Sequence, residues 1–148
     1  MKTVTGDLIK LAQAGKFDVI AHGCNCMCAM GAGIAVPIRN AWPEAYAADC
    51  QTEKGDRNKL GTCTQAVVQQ GELTVVNAYA QFDYRGKGVK VDYDAVASCM
   101  AWIKANHSGK SIGLPMIGAG LAGGDWAKIE AIIARELDGE DVTIVEFG

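Results

Sequence analysis

The sequence carries no excess of positive charge: 14 Lys and Arg stand against 17 Asp and Glu, for a formal charge of −3. That balance argues against a basic face for nucleic acid or anionic lipid, so a bound phosphate must rely on backbone amides more than on lysines. No stretch approaches the length of a membrane span, and Met1 to Asp7 contains no apolar leader core, so a cytoplasmic chain without a membrane partner is expected. Without a secretory signal, Cys24, Cys26, Cys28, Cys50, Cys63 and Cys99 read as reduced thiols. The first three alternate, but no histidine or second cysteine pair follows at zinc-ligand spacing, so packing is their expected use, with no metal and no cofactor. There is no Gly-Lys-Ser/Thr phosphate loop, which argues against an ATPase.

What is present describes one folded domain. Residues are 49% hydrophobic and 21% charged, and 148 residues can bury a core without disulfide or metal staples, so a single domain over 1–148 is expected. Asp18 to Ala21 is a short β-branched run followed by the polar His22 to Asn25, as where a buried strand emerges from a sheet. A helix is predicted after Gly33, with Ile34 and Ile38 four apart and Pro37 confined to its first turn, and a second from Pro43, with Tyr46 and Cys50 on one face. Residues 53–59 read as a solvated loop, and two β-rich runs around Gln70-Gly71-Glu72 as a hairpin. Tyr93, Val96, Met100 and Ile103 recur at helical spacing, as do Trp126, Ile129, Ile133 and Leu137; Ser111 to Leu114 and Val142 to Val145 read as strands. The expected fold is α/β: a mixed central sheet with helices on both faces.

Two glycine clusters, Gly31-Ala32-Gly33 and Gly118 to Gly124, each fall between a predicted strand and a predicted helix. Small side chains there let backbone N–H groups converge on an anion, and two such turns at the carboxyl ends of strands suit a diphosphate. Glycine also punctuates ordinary turns, which accounts for either cluster alone. Gly118-x-Gly120-x-x-Gly123, with Glu146 about 20 residues further on, also fits the dinucleotide fingerprint. With Gly148 as the last residue, the further strands of a Rossmann half are not expected.

Gly6 to Ile9, Val19 to Cys26 with its His-x-Cys-Asn-Cys string, Met30 to Ala35 and Pro115 to Leu121 together resemble the macro domain family, over nearly the whole chain. With Trp42-Pro43-Glu44-Ala45, they look most like its yeast-type ADP-ribose-1″-phosphate phosphatases, and less like the terminal ADP-ribose protein glycohydrolases. The resemblance implies a three-layer α/β/α macro domain, a monomer, that binds ADP-ribose or a derivative. A nucleic acid would enter only as an ADP-ribosylated substrate. It further implies that Asp7 accepts a hydrogen bond from the adenine amino group beside Leu8, and that Asn25 touches the distal ribose. Gly31, Ala32, Gly33 and Ile34, with Gly118, Ala119, Gly120, Leu121 and Ala122, would surround the phosphates. An aspartate such as Asp7 is equally a helix N-cap. Phe147 is expected in the core rather than against the adenine.

For chemistry, the resemblance points to His22, whose imidazole could donate a proton to a departing oxygen or orient water; the alternative is a histidine satisfied within the sheet. His107 reads as a surface residue at a helix end. Asp125 either positions water or caps the last helix. Lys87 or Lys90 could reach the site from their charged loop, but such a loop is usually just solvated, and no catalytic lysine is assigned. The implied reaction is removal of the 1″-phosphate from ADP-ribose-1″-phosphate. Reversal of ADP-ribosylation, deacetylation of O-acetyl-ADP-ribose, and binding without chemistry are the alternatives.

Overall fold

The β-branched run after Asp18 forms a central strand, β2 (Val19–Cys24), in the computed structural model, which describes residues 1–148. The other strands are β1 (Lys2–Gly6), β3 (Cys63–Val68), β4 (Leu73–Tyr79), β5 (Ser111–Leu114) and β6 (Asp141–Phe147). The helices are α1 (Leu8–Gln13), α2 (Ala35–Ala41), α3 (Pro43–Cys50), α4 (Tyr93–His107) and α5 (Trp126–Glu136). The sheet runs β1-β6-β5-β2-β4-β3, parallel except for β3, which pairs antiparallel with β4. Side chains alternate along the central strands. One face collects Val19, Ala21, Val76, Ile112 and Ile144 beneath α4 and α5, and the other collects Ile20, Leu73, Val75 and Val145 beneath α1 to α3. This is the expected mixed sheet in a three-layer α/β/α arrangement. No helix is long and apolar enough to cross a membrane.

Local chemistry sets the helix ends. Asp7, Asp92 and Asp125 each cap a helix, their carboxylates accepting from the N–H of Ile9, Ala95 and Ala127 at 2.9, 2.9 and 3.1 Å. Pro43 opens α3, where its missing N–H costs nothing. The stripe of α5 buries Ile129 and Ile133 completely, each contributing about 1.5–3 kcal/mol.

The structure departs from the sequence reading at several places. β1 was not legible, because Lys2-Thr3-Val4-Thr5 is an exposed edge strand with no apolar alternation. The buried face of α3 is Ala45 and Asp49, not Tyr46 and Cys50, because the Asp49 carboxylate accepts a 2.7 Å hydrogen bond from the Tyr79 hydroxyl and so tolerates burial. Lys59 is not solvated: it turns inward, its Nζ donating to Thr52 Oγ1 at 2.7 Å and to the Glu53 carbonyl at 3.2 Å. His107 is also buried, its ring bonded to the Gln65 amide oxygen at 2.8 Å.

His22 belongs to this interior. Its ring is completely buried, with Nε2 2.7 Å from Asn77 Oδ1, while Asn77 Nδ2 donates to the Ala45 carbonyl of α3 at 2.9 Å. The imidazole therefore ties β2 through β4 to α3. Burial pushes its pKa from 6.5 down to about 4, against the Asn77 hydrogen bond, which favours the charged form.

Two expectations follow from the packing. A methyl group on Gly113 would stand 2.6 Å from the Phe17 ring, so Gly113→Ala should cost about 1–3 kcal/mol in urea denaturation by overpacking. The depressed His22 pKa means that the unfolded chain takes up a proton between pH 6.5 and about 4 while the folded chain does not. Stability should fall as pH drops through that window, by at most about 1.4 kcal/mol per pH unit from this group. Denaturation at several pH values should give a shallower dependence for His22→Gln than for the natural chain.

Candidate functional site

All five parallel strands end on one cleft of about 1140 Å³, where Asp7 follows β1, Asn25 follows β2, Gln81 lies beyond β4, Pro115 follows β5, and Glu146 and Phe147 finish β6. This is the crevice at the carboxyl ends of an open α/β sheet, where strand ends and loops leave room for a ligand.

Both glycine turns line it. The backbone N–H groups of Gly31 through Ala35 donate to nothing within the chain, and neither do those of Gly118, Gly120, Leu121 and Ala122. α2 has no side-chain cap, so its first amides stay free. The two turns meet closely: Leu121 Cδ1 lies 3.4 Å from where a Cβ on Gly33 would stand. Gly118 and Gly124 close against the Val91 side chain, where an added Cβ would come within 2.7 and 2.6 Å of it. That contact seats the second turn on the core.

Every ligand-contacting residue expected from the sequence lies on this cleft: Asp7, Leu8, Asn25, the turn from Gly31 to Ile34, and the turn from Gly118 to Ala122. Asp7 is both N-cap and cleft residue; its Oδ1 accepts from Ile9 and Lys10, and Oδ2 makes no bond within the chain. Asn25 is pinned in its turn, donating to the Ala29 carbonyl and accepting from the Met27 N–H, both at 2.9 Å. One amide hydrogen and one lone pair remain for a ligand. Phe147 is not in the core: it is 84% exposed at the cleft edge, because it ends β6 beyond the last helix that could cover it.

The two residues expected to carry chemistry do not line the cleft. His22 points to the opposite side of β2 from Gly23, and its ring nitrogens reach only Asn77 and the Cys24 thiol, at 2.7 and 3.4 Å. Cys24 does touch the cleft, but burial, then the nearby Asp49, pushes its thiol pKa well up, so it stays protonated. Asp125 is exposed and serves as the N-cap of α5. Sequence reasoning missed Gln81 and Tyr84 as cleft residues and left Lys90 as one of two loop lysines that could reach the site, with a solvated loop preferred. The signal for them is tertiary: the Lys90 and Val91 amides both donate to the Ala122 carbonyl, at 2.8 and 3.4 Å, and Asp92 donates to Ala80, folding the charged loop back onto the rim.

Comparison with known proteins agrees with this geometry. An uncharacterized 17.5 kDa protein of Enterobacteria phage T4 is 34% identical over 156 residues, covering 99% of this chain and 96% of that one. An ADP-ribose 1″-phosphate phosphatase of Scheffersomyces stipitis is 25% identical over 162 residues, covering 91% and 94%. The structure of Thermosipho africanus DarTG in complex with ADP-ribose shares the fold, with a TM-score of 0.77 at 17% identity, covering 99% of this chain and 42% of that one. The macro domain family model matches residues 21–133. With that match over most of its length, the chain belongs to the macro domain family.

Proposed function

We propose that the cleft binds ADP-ribose derivatives and that the protein hydrolyses the 1″-phosphate of ADP-ribose-1″-phosphate. The observation that carries this reading is the pair of turns lining one cleft in which the amides of residues 31–35 and of Gly118, Gly120, Leu121 and Ala122 have no acceptor in the chain. A diphosphate supplies acceptors for both rows at once, at the uncapped start of α2 and along the second turn. The exposed Phe147 ring and the free Oδ2 of Asp7 suit an adenine at the β1–β6 end, and the distal ribose then lies towards Asn25 and Gln81. The phosphatase of Scheffersomyces stipitis and the bound ADP-ribose of Thermosipho africanus DarTG support the same ligand class.

In the proposed reaction water attacks phosphorus, the bond from phosphorus to the C1″ oxygen breaks, and a proton ends on the departing oxygen. ADP-ribose and inorganic phosphate leave. The chain's contribution is orientation and neutralisation of charge by preorganised amides. His22 acts as a positioning residue, holding the end of β2 and Cys24 from behind, and Asp125 holds the start of α5.

Binding without chemistry is the second reading, and one feature favours it: no imidazole or carboxylate stands at the Asn25 and Gln81 end of the cleft. Phosphate release from ADP-ribose-1″-phosphate decides between the two. Turnover is expected, with His22→Gln reducing kcat by less than about tenfold, since a general acid or base in contact with substrate is worth about 10²–10⁴. A folded His22→Gln variant losing more than that would return the acid role to the imidazole, and tight ADP-ribose binding without release would leave a reader. Gly33 has φ +60 and faces the other turn, so Gly33→Val should weaken ADP-ribose at least tenfold by calorimetry while the chain still folds.

A further inference from the structure

The charges along the cleft are sorted. Asp7 and Glu146 stand at the β1–β6 end, and Lys90 is the one cation among the cleft residues. It lies at the other end, since its own N–H is bonded to the Ala122 carbonyl at 2.8 Å and the next residue, Val91, bridges to Gln81 beyond β4. From β6 to β4 is three strand spacings, about 14 Å across the sheet.

Lys90 is also a cation without a counterion. The nearby carboxylates are engaged elsewhere: Asp83 holds Arg85 through two bonds of 3.0 and 2.9 Å, Asp92 caps α4, and Asp125 caps α5. The Lys90 ammonium takes part in no ion pair and reaches only the Gly88 carbonyl, at 3.5 Å, too long to hold it. Lys90 is a half-buried residue of the cleft rim whose ammonium is exposed and holds no side-chain partner, so it is free to pair with a negative charge that a ligand brings. Lys87, three residues earlier in the same loop, is exposed and does not line the cleft.

We propose that Lys90 selects for a negatively charged group on the distal ribose of the ligand, a phosphate monoester above all, discriminating it from ligands that are neutral there. This rests on the ADP-ribose reading of the cleft and sharpens it: the diphosphate is held by amides, and the additional negative charge by one flexible side chain. The Asp7 and Glu146 end, being acidic, disfavours the opposite orientation of such a ligand. A compact point charge on a four-carbon stem suits a terminal phosphate, which has no fixed approach direction.

Calorimetry with ADP-ribose and with ADP-ribose-1″-phosphate, on the natural chain, Lys90→Met and Lys90→Arg, tests it; for any chain that turns the phosphate over, KM and kcat replace the second titration. The natural chain should prefer the phosphorylated ligand, and Lys90→Met should reduce the ratio of the two affinities at least tenfold. Lys90→Arg should keep most of the preference, and the preference should shrink as salt rises. An unchanged ratio in Lys90→Met, or equal losses for both ligands, overturns the assignment to Lys90 while ADP-ribose binding still stands. Failure of the natural chain to bind ADP-ribose would overturn the nucleotide reading itself, and this proposal with it.

Discussion

Backbone amides that end without an acceptor govern how this molecule is built around its cleft. A peptide N–H withdrawn from water needs a partner, and most of the chain supplies one through ladders, turns and caps. The N–H groups from Gly31 to Ala35 and those of Gly118, Gly120, Leu121 and Ala122 are exceptions on two turns that line the same cleft. They exist because β2 and β5 are adjacent parallel strands, so their carboxyl ends and the turns after them emerge side by side. The absence of a side-chain cap on α2 then has a physical reading: an N-cap side chain would occupy the position that an anion takes.

Much of this was legible in the chain, because it depends on short-range patterns. The β-branched run of β2, the hairpin of β3 and β4, Pro43 at the start of α3 and the stripes of α4 and α5 are periodic or turn-driven, and each forms where the residues indicate. The glycine turns were legible for the same reason. What was hidden depends on tertiary partners. Lys59, His107 and Asp49 are polar residues whose burial is compensated by Thr52, Gln65 and Tyr79, none of which is adjacent in sequence. Lys90 was readable either as a residue of a solvated loop or as one that reaches the site, and only the bonds to the Ala122 and Ala80 carbonyls bring its loop onto the rim.

His22 shows where motif reasoning and geometry part. The residue sits in a string suggestive of chemistry, yet it lies deeper in β2 than Gly23, Cys24 and Asn25, which reach the cleft, and its ring packs into the layer beneath α3. There it joins a buried chain of polar contacts: His22 to Asn77, Asn77 to Thr64, Thr64 to Tyr79 and Tyr79 to Asp49. Burial, then the bond to Asp49, pushes the Tyr79 hydroxyl far up, so it remains a donor, and burial likewise raises Asp49. The network specifies how α3 seats on the sheet, and it keeps the back of the cleft rigid.

The contact between Val91 and the two glycines at 118 and 124 has a mechanical consequence. Because the valine fills the space behind the second turn, and the amides of residues 90 and 91 clamp the carbonyl of Ala122, that turn and the basic loop form a single rigid lip. The opposing lip around Gly31 has empty space where a side chain would be. Gly120 on the first lip is equally open, so a ligand entering between the two meets bare backbone at both, and differences in ligand bulk are taken up in the room the missing side chains leave.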